Sequence, residues 1–147
     1  MNKKEEKSLA SWETFLDGTK TEIHLSLKEI LEEVKNANEN IRAMWFQYQW
    51  YSMEIDFSAI NSREIVLSRT INILSDKIKS KHPLTEGLFE KVTKMNYDTE
   101  YIEKREKIFR KWFVSCWRKV KRGYKYLPET GYSVHYANGG REDITSM

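Results

Sequence analysis

The chain has 147 residues, of which 39% are hydrophobic, 13% aromatic and 32% charged, and its formal net charge is +3. This composition excludes a disordered polymer, and the length favours one domain with its own core over two domains. No apolar stretch approaches the roughly 18 residues of a membrane span, and the N-terminal residues lack the apolar run of a secretory signal. Because the single cysteine, Cys116, cannot close an intrachain disulfide, we expect a cytoplasmic protein.

The predicted elements begin with a short helix over residues 8–16, which Gly18 ends. The helix that follows has the strongest pattern in the sequence, and no Gly or Pro occurs between Thr19 and His82 to interrupt it. Ten apolar residues are separated alternately by four and three positions, which is the heptad pattern of a coiled coil or a long bundle helix. They are Ile23, Leu27, Ile30, Val34, Ala37, Ile41, Met44, Tyr48, Tyr51 and Ile55.

A second apolar stripe crosses the later half of this helix. A helix with two apolar faces must be covered on both sides, either by its own bundle or by a second chain. The first alternative makes it the central helix of the fold. The second predicts a homodimer whose interface contains Phe46, Trp50, Met53 and Phe57.

Three more helices are predicted after the long one. Asn61 and Glu64 have capping-box spacing and open the third helix, which Pro83 ends. A short fourth helix covers residues 84–95, and a fifth begins after the N-cap Asp98 and runs to Tyr126. The sequence therefore predicts an all-α fold, a bundle of four to five helices around one long heptad-patterned helix.

Residues 1–126 would form this single helical domain, and residues 127–147 an irregular or partly extended C-terminal tail. Within the tail, Tyr132, Val134 and Tyr136 alternate and could add a strand to another element. The tail begins with LPETG, which matches a sortase signal, but the segment after it is polar. Pro128 and Gly131 are therefore interpreted as a turn that ends the fifth helix.

The fifth helix separates apolar from basic side chains. Its apolar face is predicted to lie in the core, which leaves no exposed aromatics for stacking single-stranded nucleic acid. That face contains Ile102, Phe109, Trp112, Phe113, Cys116, Trp117, Val120 and Tyr124. The opposite face has a row of cations, with two more on one shoulder: Lys104, Lys107, Lys111, Arg118, Arg122 and Lys125 in the row, and Arg110 and Lys121 beside it.

Charge on an outward helix face is usually only solvated, but such a face ordinarily mixes signs. From Lys104 to Lys125 there are ten cations and one acid, Glu106. A row about 30 Å long could follow a phosphate backbone, and it would supply affinity rather than base specificity.

Enzymatic chemistry has little support in the sequence. His24, His82 and His135 have no companions at metal-ligand spacing, and Cys116 lies on the apolar stripe. The carboxylate pattern of helical NTP pyrophosphatases is incomplete, because Asn36 stands where the third acid is required. We expect no enzyme activity, cofactor, metal or small-molecule substrate.

The sequence therefore predicts a non-enzymatic accessory or regulatory protein that docks on nucleic acid or a nucleoprotein complex through the basic helix face, without a membrane partner. In size, charge and predicted helicity it is similar to the small helical modulators of bacterial defence nucleoprotein machines, including CRISPR effectors. The alternative is a protein–protein adaptor whose basic face binds an acidic protein surface.

Overall fold

The computed structural model describes residues 3–37, 39–49, 53–73, 75, 78, 99–135 and 140–147. These residues form a mixed α/β fold and not an all-α bundle, with three helices and five strands in the described part of the chain. The helices are α1 (Lys3–Gly18), α2 (Lys20–Asn36) and α3 (Thr99–Lys121). The strands are β1 (Ala43–Gln49), β2 (Glu54–Ile60), β3 (Ile65–Asn72), β4 (Glu129–His135) and β5 (Arg141–Asp143).

The strands form one mixed sheet in the order β3-β2-β1-β4-β5. β1, β2 and β3 pair antiparallel with their neighbours in sequence. β4 returns to lie parallel to β1 after the connection that contains α3, and β5 pairs antiparallel with β4 at the edge. The sheet is therefore completed by strands from both halves of the chain.

The core lies between one face of the sheet and the helices. In β1 and β2 every second residue is buried and those between are half-buried, which is the period of a strand with one covered face. Phe46 is central, with its ring centroid 5.1 Å from that of Phe57, 5.2 Å from Phe113 and 5.5 Å from Trp117. Apolar side chains of α1, α2 and α3 join these residues in one cluster.

The predicted long helix is wrong beyond Asn36. Its first part is α2, where Ile23, Leu27 and Ile30 are buried as the heptad pattern requires. Residues 43–49 and 54–60 instead form the antiparallel pair β1 and β2, which we call the β1–β2 hairpin. Three asparagines, Asn36, Asn38 and Asn40, occur in five residues at the end of α2 and just after it, and asparagine is a poor helix former that favours turns.

The heptad pattern misleads in the hairpin because two periods coincide there. Met44 and Tyr48 are four residues apart, which suits a helix face, but four is also an even number. With Phe46 between them they alternate along β1, and all three are completely buried. Aromatic residues are common in strands, and here their strand preference agrees with the two-residue period.

The predicted third helix is also wrong, because residues 65–72 form β3. Asn61 does accept the hydrogen bonds of a capping residue, since its Oδ1 lies 2.8 Å from the backbone nitrogens of Arg63 and Glu64. These bonds close the turn between β2 and β3, and an asparagine side chain makes similar bonds in turns and at helix starts. The predicted fourth helix, residues 84–95, lies outside the described residues.

The first and fifth predicted helices are confirmed. α1 contains residues 8–16 and ends at Gly18, and α3 covers the fifth helix, although it ends at Lys121 and not at Tyr126. Both helices show a period of 3.6 residues that no strand pattern imitates.

The C-terminal residues supply two strands, so the tail is partly extended. The alternation of Tyr132 and Val134 corresponds to β4, where both are buried. Gly131 lies within β4 and not in the predicted turn. Glycine is required there because the Trp45 side chain crosses this position, and a Cβ atom would overlap the Trp45 ring. The Arg141 guanidinium carbon lies 3.0 Å from the centroid of the same ring.

Candidate nucleic-acid interface

One face of α3 belongs to the core, as its apolar stripe predicts. Phe109, Trp112, Phe113, Cys116 and Trp117 are at most 4% exposed. Burial raises the pKa of the Cys116 thiol to about 12, so the thiol stays protonated at neutral pH and offers no nucleophilic thiolate. The side chains of α3 that could contact a ligand therefore lie on its opposite face.

That opposite face presents exposed cations to solvent. The set is Lys104, Lys107, Lys111, Arg118 and Lys119 on α3, with Arg122 directly after its last residue. From first to last it covers about 27 Å of helix at 1.5 Å per residue. Within the described part of the chain, Lys104 alone of these six forms an ion pair, at 3.2 Å from Glu100. Both partners are half exposed, so the pair is screened and weak.

Two of the predicted binding cations form contacts inside the molecule. Arg110 donates two hydrogen bonds of 2.7 Å to the Glu142 carboxylate on β5, which raises the Arg110 pKa. Lys121 donates to the backbone carbonyl of Thr145 at 3.1 Å. These side chains tie α3 to the end of the chain. Lys125, by contrast, is exposed beyond the end of α3.

A further cation of the basic segment, Arg105, is buried with 2% exposure. Its guanidinium carbon lies 4.4 Å from the centroid of the Trp12 ring, and it donates a 3.0 Å hydrogen bond to the Tyr101 hydroxyl. Arg105 therefore joins α1 to α3 and is not part of the surface.

The start of α2 adds Lys20 and His24 to the cations of α3. A cavity of about 700 Å³ lies between the two helices, and we call it the α2–α3 pocket. Its basic lining comes from Lys20 and His24 of α2 together with Arg110, Lys111, Arg118, Lys119 and Arg122. We call Lys20, the five exposed cations of α3 and Arg122 the cationic surface.

Burial and neighbouring positive charge both act on His24 in the α2–α3 pocket. Burial is the main cause that lowers the pKa of His24 from its usual value, and the charges of Lys119 and Lys20 lower it further. Two acids border the cationic surface on the α1 side, where Glu13 and Asp17 line the neighbouring groove. Asp17 lies 3.7 Å from Lys20, and both side chains are well exposed.

Sequence patterns missed Lys20 and Lys119 as part of the cationic surface, and His24 as part of the α2–α3 pocket. Lys119 lies beside the helical row and not on it. Lys20 and His24 are about a hundred positions away in the chain, and their approach to α3 follows from the packing of α2 against α3. No local pattern could have indicated this contact.

Three of the four residues of the predicted dimer interface lie in the core of the fold. Phe46, Met53 and Phe57 are fully buried in the core of one chain, where they offer no surface to a second. Trp50 lies outside the described residues. The interface was inferred from two apolar faces on one helix, and that helix is replaced by the β1–β2 hairpin.

Among the described residues, no three His, Cys, Asp or Glu side chains cluster closely enough to hold a metal ion. In the same residues, every helix is too short or too polar to cross a lipid bilayer.

No protein-family model, curated protein or solved structure matches this chain. The similarity to small helical CRISPR modulators rested on size, charge and predicted helicity, and the five-stranded sheet contradicts the last of these three.

Proposed function

We propose that this protein binds nucleic acid through the cationic surface, contacting the phosphate backbone, and acts as a non-enzymatic accessory protein. The observation that supports this most is the convergence of basic side chains from two helices on one pocket. Charges of one sign repel each other, and an anionic partner removes that cost. Burial is the main cause of the lowered His24 pKa, and the charges of Lys119 and Lys20 add to it.

The type of contact follows from the side chains that are exposed. Lysine and arginine pair with phosphate oxygens, which orients a protein on nucleic acid without specifying sequence. The aromatic residues of α3 are buried and cannot stack on bases. The 27 Å row approaches one turn of duplex, about 34 Å, so we favour duplex backbone over an extended single strand.

Because the one cysteine of this protein is buried and unpaired, we propose that the protein lies in the reducing cytoplasm.

Salt dependence tests this proposal. Each cation that neutralises a phosphate releases counterions, so log K should fall linearly with log salt, at about −0.9 per phosphate contacted. With four phosphates in contact, affinity should fall roughly 100-fold between 50 and 200 mM salt. Fluorescence anisotropy of a labelled duplex measures this slope. An absence of binding at low salt would contradict the proposal and leave an acidic protein surface, the adaptor function, as the alternative.

A further inference from the structure

We propose that the α2–α3 pocket binds a terminal phosphate monoester, so that the protein engages the end of a nucleic-acid strand. This inference rests on the proposed function and adds the class of nucleic acid that is bound. The surface cations can follow a backbone, but the pocket is a concavity that combines cations of two helices.

The charge in the pocket suits a monoester better than a backbone diester. A diester carries one negative charge and is attached to sugars on both sides. A terminal monoester carries a charge of about −1.5 to −2 at neutral pH and presents three acceptor oxygens. Lys20, Arg118, Lys119 and Arg122 all line the pocket, and bonds between such cations and phosphate are the strong charge-assisted kind.

The size of the pocket also suits a chain end. Its volume of about 700 Å³ exceeds what one phosphate group needs. It falls within the range of roughly 300–1,000 Å³ that is usual for small-molecule sites. The apolar side chains of Val114 and Met147 are also in the lining. The pocket can therefore hold a terminal nucleotide, with its phosphate among the cations.

His24 gives the site a second property. His24 lines the α2–α3 pocket and also a second cavity further along the same two helices. The other charged or titratable side chains in the two linings are Lys20, Lys28 and Glu32 of α2, Arg110, Lys111, Arg118 and Lys119 of α3, and Arg122 and Tyr124 after α3. Glu32 accepts a 2.8 Å hydrogen bond from the Tyr124 hydroxyl. Without a ligand, His24 is neutral at neutral pH, because burial and the charges of Lys119 and Lys20 lower its pKa. A bound dianion would stabilise the imidazolium and raise that pKa, so binding should take up a proton.

The test compares DNA hairpins of one sequence, each with a single open end. One hairpin carries a 5′-phosphate, one a 3′-phosphate and one hydroxyls at both positions. We expect a phosphate end to bind about tenfold more tightly than the hydroxyl end, which is near the lower limit for one added charge-assisted hydrogen bond. The two phosphate hairpins show which end the pocket prefers. Because this comparison uses the unaltered protein, it does not depend on the folding of any variant.

Paired substitutions locate the preference. Lys20→Ala with Lys119→Ala should remove the discrimination between phosphate and hydroxyl ends. Lys104→Ala with Lys107→Ala, which removes two cations that do not line the pocket, should weaken all three hairpins alike and keep the discrimination. Retained discrimination in the Lys20→Ala, Lys119→Ala variant would overturn the assignment to this pocket.

Two other outcomes separate the inference from the proposed function. Equal, salt-dependent affinity for all three hairpins overturns the terminal-phosphate site and leaves backbone binding intact. No affinity for any of them overturns both. NMR of the His24 ring should show protonation when the preferred phosphate hairpin is added and not when the hydroxyl hairpin is added.

Discussion

Replacement of Phe46 by alanine is expected to lower the free energy of unfolding by about 3–5 kcal/mol, the usual cost of removing a buried phenylalanine. Phe46 is fully buried, and its ring lies within 5.5 Å, centroid to centroid, of those of Phe57, Phe113 and Trp117. The space left by the Phe46 ring is bounded by β1, β2 and α3, so it cannot collapse unless the sheet moves against the helices. Urea denaturation measures the loss.

Gln47→Ala is the control for this substitution. Gln47 follows Phe46 on β1 but faces the other side of the sheet, where it is half-buried. Its replacement should cost about 1 kcal/mol or less. A large cost at Phe46 with a small one at Gln47 is the signature of a strand with one covered face. If Phe46→Ala left stability unchanged and reduced self-association instead, the side chain would belong to an interface and the fold described here would be contradicted.

Arg118→Glu with Arg122→Glu should reduce the affinity for duplex DNA by roughly 100-fold or more, because two charge-assisted contacts of about 1.5–3 kcal/mol each are lost. The slope of log K against log salt should also become shallower by about two, one for each phosphate contact removed. Both side chains are exposed, so the substitution removes no core contact. Glutamate near the C-terminus of a helix costs only about 0.3–1 kcal/mol through the helix dipole, and circular dichroism verifies the fold.

The matched control is Arg42→Glu with Arg63→Glu. These arginines are also exposed, before β1 and in the β2–β3 turn, so the control changes the net charge by the same amount outside the cationic surface. We expect it to weaken binding only slightly, through long-range electrostatics that salt screens. An equal loss in both variants would mean that net charge, and not the cationic surface, controls binding.

The parts of the fold that the sequence predicts are those with a local, unambiguous period. α1 and α3 each bury one stripe of a 3.6-residue pattern, and α3 contains an aromatic face that could only be core. The β1–β2 hairpin was hidden because the apolar residues of β1 satisfy a helical and a strand period together. The parallel pairing of β1 with β4 joins residues as far apart as Ala43 and Glu129, and such contacts leave no local pattern.

The candidate site, like the sheet, could be predicted only where it depends on a local sequence pattern. The row of cations on α3 follows from the sequence, because it needs only one helix. The sequence does not show which of these cations are free to bind a ligand. Arg110, for example, is paired with Glu142 of β5, a strand that was not predicted. The contribution of Lys20 and His24 depends on how α2 packs on α3. Both the ion pair of Arg110 and the approach of Lys20 and His24 to α3 are properties of the tertiary structure.

The most direct test of the central claim is to locate the bound nucleic acid by backbone amide NMR. A closed DNA duplex without ends, titrated into the labelled protein, should shift the amide signals of residues 104–125 and 20–24. The signals of β1 and β2 should change little. Shifts confined to the sheet face that contains Trp45 and Asp56, with the helices unaffected, would contradict the assignment of the cationic surface as the nucleic-acid interface.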